Sequence, residues 1–340
     1  LTTIGKIQLP EKALFLAPME DITDQSFRII CKEHGVDAMI SEFVASEGLI
    51  RDCEKSYHKM RIDDSERPFG VQLYGHNIDS MVQATKMAES QRPDFIDLNF
   101  GCPAKKIAHR GAGAGLLQNV PLMVEMTKAV VQTSSLPVTV KTRTGWDDKN
   151  INIVDTAKRL QEVGIAAITI HGRTKAQMYK GKANWDIIAE VKNDPEIEIP
   201  VIGNGDIDSP ESAKNAFLNY GVDGVMIGRA TVGKPWLFSA IKTYLQTGEI
   251  PEEPSITEKV NIAKRHLLKS IEWKGNPRGI YEMRRHLSNY FKGLPHFKEI
   301  RKKLVTSLDQ NELLDTLDLI ESRYRNFDST KLKSDSFFHY

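Results

Sequence analysis

Ala13-Leu-Phe-Leu-Ala-Pro-Met-Glu-Asp-Ile-Thr-Asp24 opens as a short apolar run and leaves it at Pro18 without a glycine-rich turn. A dinucleotide-binding open sheet would follow its first strand with Gly-x-Gly-x-x-Gly, because those glycines let backbone approach a pyrophosphate. The Pro-Met-Glu-Asp exit therefore favours a closed barrel. Seven further apolar runs follow, at Ala38–Ser41, Phe69–Tyr74, Phe95–Phe100, Pro137–Lys141, Ala166–His171, Pro200–Gly203 and Gly224–Gly228. Segments with helical spacing separate most of them, for example Ile78–Glu89, Leu122–Gln132, Ile153–Val163 and Ser209–Leu218. Near-continuous apolar strands alternating with helices imply a parallel sheet buried on both faces. Eight such units in roughly 230 residues predict a (β/α)8 TIM barrel over residues 1–245.

The texture changes beyond Leu245. Gly248, Pro251 and Pro254 mark a linker, and Ile256–Trp273, Ile280–Phe291, Phe297–Leu304 and Asn311–Asn326 all carry helical spacing. A helical bundle over 246–327, followed by a polar tail over 328–340, is expected. The whole chain has a formal net charge of +1, but Lys259–Lys303 holds 13 Lys and Arg against 3 Glu. The rest of the chain is therefore net negative. A basic block on an acidic body is an electrostatic footprint for nucleic acid.

Other classes are disfavoured. No apolar run approaches the roughly 18–20 residues needed to cross a bilayer. Leu1–Pro10 lacks the basic start and apolar centre of a signal peptide. Cys31, Cys53 and Cys102 are three in number without CxxC spacing, which argues against a structural metal or disulfide framework. A cytoplasmic, metal-free monomer is the expectation.

Barrel chemistry sits where strands end. Those positions read Pro18-Met19, Glu42, Gln72, Asn99 with Cys102, Lys141 with Arg143, His171 with Arg173, Asn204-Gly205-Asp206, and Gly228-Arg229. Packing alone does not explain hydrogen-bonding groups ending so many apolar strands. The glycines after strands seven and eight suit a phosphate, which backbone N–H groups and Arg229 could hold. Lys141 could form a Schiff base, clamp a phosphate, or donate to a flavin edge; the Gln72 amide could pair with an isoalloxazine or pyrimidine edge. Cys102 lies on a loop with Lys105, Lys106, His109 and Arg110, ahead of the glycine-rich turn that ends at Leu117. A thiol at a strand end on a basic loop reads as a reactive group rather than as filler.

The segments Leu16–Asp24, Val71–Gly75, Asp97–Ile107, Val140–Trp146, Ile170–Thr174, Gly203–Ile207, Ile227–Ala230 and Tyr281–Leu287 together resemble the tRNA-dihydrouridine synthases of the bacterial branch, B type. Asn-Phe-Gly-Cys-Pro combined with His-Gly-Arg-Thr is the most specific part. The resemblance implies bound, non-covalent FMN, NADPH or NADH as a transient reductant, and a tRNA uridine flipped into the barrel. By position it places Pro18, Met19 and Glu20 along the flavin through their backbone, with Gln72, Lys141 and His171 near its ring. Asn204, Gly205, Asp206, Gly228 and Arg229 would hold its phosphate. Asn99, Arg143 and Arg173 would lie near the uracil, while Lys105, Lys106, Arg110, Arg284, Arg285 and His286 would meet RNA. Cys102 would be the general acid that protonates C5 after hydride reaches C6. Two departures from the family pattern are Gly113-Ala-Gly115 for the commoner Gly-Ser-Ala, and Glu20-Asp21 for Ala-Gly.

Overall fold

A computed structural model describes residues 1–327; the polar tail expected at 328–340 lies outside the described residues. Eight parallel strands close on themselves: β1 (Ala13–Leu16), β2 (Ala38–Ile40), β3 (Phe69–Tyr74), β4 (Phe95–Phe100), β5 (Val138–Arg143), β6 (Ala167–His171), β7 (Val201–Asn204) and β8 (Gly224–Ile227). Each pairs with its sequence neighbour, β8 pairs with β1, and Met39 opposite Phe69 joins β2 to β3. The (β/α)8 barrel predicted from the apolar runs is the fold observed. A two-residue strand, Val44–Ala45, also pairs with β3 beyond the end of β2, and no apolar run announced it.

Helices return the chain between strands where local chemistry starts and stops them. The Asn77 side chain accepts from the Ser80 N–H and opens Ile78–Glu89. Ser209 caps Pro210–Tyr220, and Gly221 closes that helix with φ 66°, a left-handed geometry that glycine adopts without a Cβ penalty. Below the barrel, Thr2–Ile4 and Ile7–Leu9 form an antiparallel hairpin. Its Ile4 and Leu9 are buried with Ala13, Ala38, Phe95 and Ala167, residues that begin their strands, so the hairpin floors the amino-terminal end. Its turn is tight: a Cβ on Gly5 would fall 2.4 Å from the Pro137 ring.

The chain divides into two compact units, Leu1–Gly228 and a second beginning at Arg229. The second holds five α-helices among the described residues: Leu237–Thr247, Ile256–Lys274, Arg278–Tyr290, Lys298–Thr306 and Gln310–Tyr324. Val260, Ala263 and Leu267 on one helix and Ile280, Met283 and Leu287 on the next supply stripes at helical spacing. These are buried together with Leu313, Leu317 and Ile320. Burying those stripes, rather than intrinsic propensity, stabilises the bundle.

Candidate active site

At the carboxyl end of β4 the chain breaks at Gly101 and presents Cys102. Strand alternation puts Asp97 and Asn99 on one face, and both side chains enter a buried hydrogen-bonded series. Thr139 Oγ1 donates to Asp97 Oδ1 (2.5 Å) and Gln72 Nε2 donates to Asp97 Oδ2 (2.6 Å). Asn99 Nδ2 donates to Gln72 Oε1 (2.8 Å). The backbone N–H groups of Gly101 (3.1 Å) and Cys102 (2.9 Å) donate to Asn99 Oδ1. The Gln72 amide therefore has protein partners at both ends. Burial pushes the Asp97 carboxyl up to about 6, against the hydrogen bonds from Gln72 and Thr139 and the attraction of Lys141.

Cys102 is half-buried, and its carbonyl accepts from the Ala114 N–H (3.1 Å). Gly113, at φ +54°, lies against it: a Cβ there would come 2.9 Å from Ile107 and 3.1 Å from the Cys102 carbonyl. The glycine-rich turn is thus the seat of the cysteine. Burial pushes the thiol above its ordinary range, while the Ala104 N–H, Arg143 and Lys141 pull it down without prevailing. The sulfur remains protonated at neutral pH. Lys105, Lys106, His109 and Arg110 are exposed on the outer side of this loop, and the cations acting on the sulfur are Arg143 and Lys141 instead.

Lys141 on β5 donates to Asn204 Oδ1 on β7 (3.2 Å), two strands away, so it reaches across the barrel mouth. Asn204 is fixed by donating to the Met226 carbonyl (2.8 Å). Burial, helped by Arg143, pushes the Lys141 ammonium down to about 8. His171, paired in register with Asn204, completes the polar arc. Gly205 has φ +128°, and a Cβ there would lie 2.6 Å from Ala183 and 3.1 Å from the His171 ring. Only glycine passes bare backbone through that point. At Gly228 a Cβ would sit 3.4 Å from both Ala17 and the Met19 sulfur. Arg229 opens the short turn Arg229–Thr231 of the second unit.

The two arginines expected near a substrate are engaged by protein. Arg173 forms a double contact with Asp206 (2.8 and 2.7 Å) and donates to the Lys180 and Gly181 carbonyls. Arg143 donates to the carbonyls of Gly101, Thr174 and Met178. Each is 2% exposed, so both shape the loops of the mouth from within. His286, expected at an RNA-facing surface, is also 2% exposed and packs its ring 4.6 Å from that of His266, inside the helical unit. This corrects the surface reading: helical spacing turns position 286 inward while leaving Arg285 exposed. Arg284 is half-buried over the Tyr281 ring and donates to the Thr306 carbonyl.

On the β1 side, the Met19 N–H donates to Thr23 Oγ1 (2.8 Å), which fixes the turn after Pro18. Glu20 pairs with Lys59 at 2.5 Å, and Glu42 accepts from the Asp21 N–H (2.6 Å). Burial pushes Glu42 up to about 7; Lys59 opposes this, while Glu20 and Asp24 add to it. Sequence reasoning passed over Asp97 and Thr139 as site residues. The usable signal was a carboxylate inside a strand otherwise buried on both faces, where an unpaired charge is not tolerated.

A family profile described as "Dihydrouridine synthase (Dus)" matches residues 15–326. Among similar proteins, a "Probable tRNA-dihydrouridine synthase" of Rickettsia prowazekii is 42% identical over 299 residues, covering 88% of this chain and 90% of the relative. A "tRNA-dihydrouridine synthase B" of Pseudomonas aeruginosa is 38% identical over 314 residues, covering 92% of each. In structure, the chain is similar to histamine dehydrogenase from Rhizobium sp. 4-9, with TM-score 0.58 at 11% identity. That match covers 95% of this chain and 64% of that structure, and it is a likeness of fold alone. With the profile spanning nearly the whole chain and relatives this similar over most of their length, the chain belongs to the dihydrouridine synthase family.

Proposed function

We propose that this protein reduces the C5=C6 bond of uridines in tRNA, with FMN in the barrel mouth and NADPH or NADH as electron source. The observation that carries the reading is a half-buried thiol at a strand end, its pKa pushed up by burial, in a barrel mouth that also holds Lys141 and Asn204. The residues present suit a flavin mononucleotide. Gly205 lets the chain after β7 pass close between Ala183 and His171 toward the usual barrel phosphate position, and Lys141 offers an ammonium to an electron-rich ring edge. The backbone of Pro18, Met19 and Glu20 would border the ring, and the backbone N–H groups of Asn204, Gly205, Asp206 and Gly228, with Arg229, the phosphate. When bound and reduced, FMN supplies the hydride for C6 of the uracil.

The chain's own part is acid catalysis and orientation. Cys102 holds a proton near neutrality and gives it up to C5 as charge develops there. Asn99 sets the backbone of Cys102, and Arg143 ties Gly101 to the Thr174–Met178 loop, so the turn that carries the sulfur is held from two sides. A stacked base cannot reach this depth, so the uridine has to be extruded. Basic surfaces then hold the RNA: Lys105, Lys106 and Arg110 on the barrel, and Arg285 on the helical unit.

The direct test is reconstitution. The purified protein should be yellow or become so with FMN, and with NADPH and unmodified tRNA it should form dihydrouridine detectable by mass spectrometry. A colourless chain that takes up no FMN, or a flavoprotein that leaves tRNA unchanged, would overturn the reading.

Two further outcomes are expected. Lys141 carries its charge below about pH 8 and loses it as pH rises through that value. FMN reduction should therefore slow with an inflection near pH 8 that Lys141→Met lacks; stopped-flow bleaching of the flavin across pH 6–10 checks this. Replacing exposed Arg285 and Arg301 by alanine should weaken tRNA binding and reduce the slope of log K against log salt by about one per side chain. An unchanged slope in filter-binding titrations would remove these residues from the interface.

A further inference from the structure

The hydrogen-bonded series behind Cys102 has a direction, and its source is Asp97. That residue is 0% exposed, and each of its oxygens receives one donor, from Thr139 and from Gln72. An ionised carboxylate can only accept. It therefore obliges Gln72 to present its NH2 end inward and its oxygen toward Asn99. Asn99 must answer with its own NH2, which leaves its oxygen facing the N–H groups of Gly101 and Cys102. If that acceptor is lost, the buried Gln72 NH2 has no partner at this end, and the Gly101 and Cys102 N–H groups alone hold the Asn99 amide in its orientation. The turn that seats Cys102 would then be anchored from one side only.

We propose that Asp97 is a positioning residue whose acceptor-only carboxylate sets the polarity of the Gln72 and Asn99 amides and thereby the seating of Cys102. The proposal rests on the synthase reading for the reaction it serves, and on geometry alone for the relay. The groups that face Asp97 are the neutral Gln72 amide from β3, and from β5 the Thr139 hydroxyl and the Lys141 cation.

Asp97→Leu and Asp97→Asn, both in a Cys53→Ser background that removes the exposed thiol, test this. Two readouts are followed across pH 5–9: dihydrouridine formation, and iodoacetamide labelling of Cys102 mapped by mass spectrometry. Asp97→Leu has no acceptor; it should lower kcat by about tenfold or more with KM for tRNA nearly unchanged, and alter the Cys102 labelling rate. Asp97→Asn can turn its oxygen to Gln72 while the Thr139 hydroxyl rotates to accept. It should keep both kcat and the Cys102 labelling rate within about threefold of the parent. A folded Asp97→Leu protein with wild-type kcat and labelling overturns the proposal. Should the leucine variant not fold, a folded Asp97→Asn protein whose kcat falls about tenfold or more overturns it instead. If the parent protein forms no dihydrouridine, the synthase reading fails and the labelling profiles alone decide the relay.

Discussion

Cys102→Ala is expected to form dihydrouridine at no more than about one-hundredth of the parent rate while binding FMN and tRNA as before. The size follows from the geometry. Burial pushes the thiol's pKa up, and the charges of Arg143 and Lys141 oppose this without prevailing. An acid of this kind contributes through proton transfer in the transition state, so its removal should appear in kcat and hardly in KM. The fold should tolerate the change. Cys102 is held by main-chain contacts to Asn99 and Ala114, and alanine keeps both. The measurement is single-turnover conversion of unmodified tRNA by pre-reduced enzyme, with the flavin spectrum recorded on the same sample. Undiminished turnover would assign the proton to another donor.

The largest effect on stability should come from Glu66. Its carboxylate meets Arg28 Nε at 2.5 Å and accepts from the Asp63 N–H, and neither charged side chain is more than 2% exposed. Arg28 also donates to the Thr23 and Arg61 carbonyls and lies 4.6 Å from the centroid of the Phe69 ring. Glu66→Leu would leave a guanidinium buried without its counter-charge, a loss of about 3–5 kcal/mol. In a chain of this size that lowers Tm by roughly 10 °C. Calorimetry checks it. The double variant Arg28→Met with Glu66→Leu should recover much of the loss, because it removes both charges together. A single variant as stable as the parent would mean that water reaches the pair. The pair joins the helix Gln25–Glu33 to the turn before β3, so it braces the segment that carries Lys59 and the Glu20 loop.

The barrel was legible because its strands are buried on both faces and so read as apolar runs, with polar residues only at their ends. Val44–Ala45 escaped because two residues carry no periodicity. Strand ends also drew attention to Cys102, Lys141, His171 and Asn204, which the fold brings to one mouth. Residue type alone could not separate a group facing a ligand from one facing the protein. Arg143 and Arg173 have the chemistry to clamp a substrate, yet their guanidinium groups meet carbonyls and Asp206. That choice depends on where the loops Gly172–Lys182 and Gly101–Pro103 pass, which no spacing encodes. Asp97 was hidden for the converse reason: its partners come from two other strands and converge only when β3, β4 and β5 stand side by side. His286 belonged to a basic run by composition and to a core by periodicity, and periodicity decided.

The hairpin beneath the barrel has a kinetic consequence. With Ile4 and Leu9 packed on the first residues of the strands, the amino-terminal end of the barrel is filled with side chains among the described residues, and the polar strand ends open on the other side. On the proposed reaction, electron donor and RNA would both approach from that side and would enter by turns. Initial rates measured at several fixed tRNA concentrations should accordingly fall on parallel double-reciprocal lines. Each reactant, at high concentration, should inhibit by blocking the other's entry.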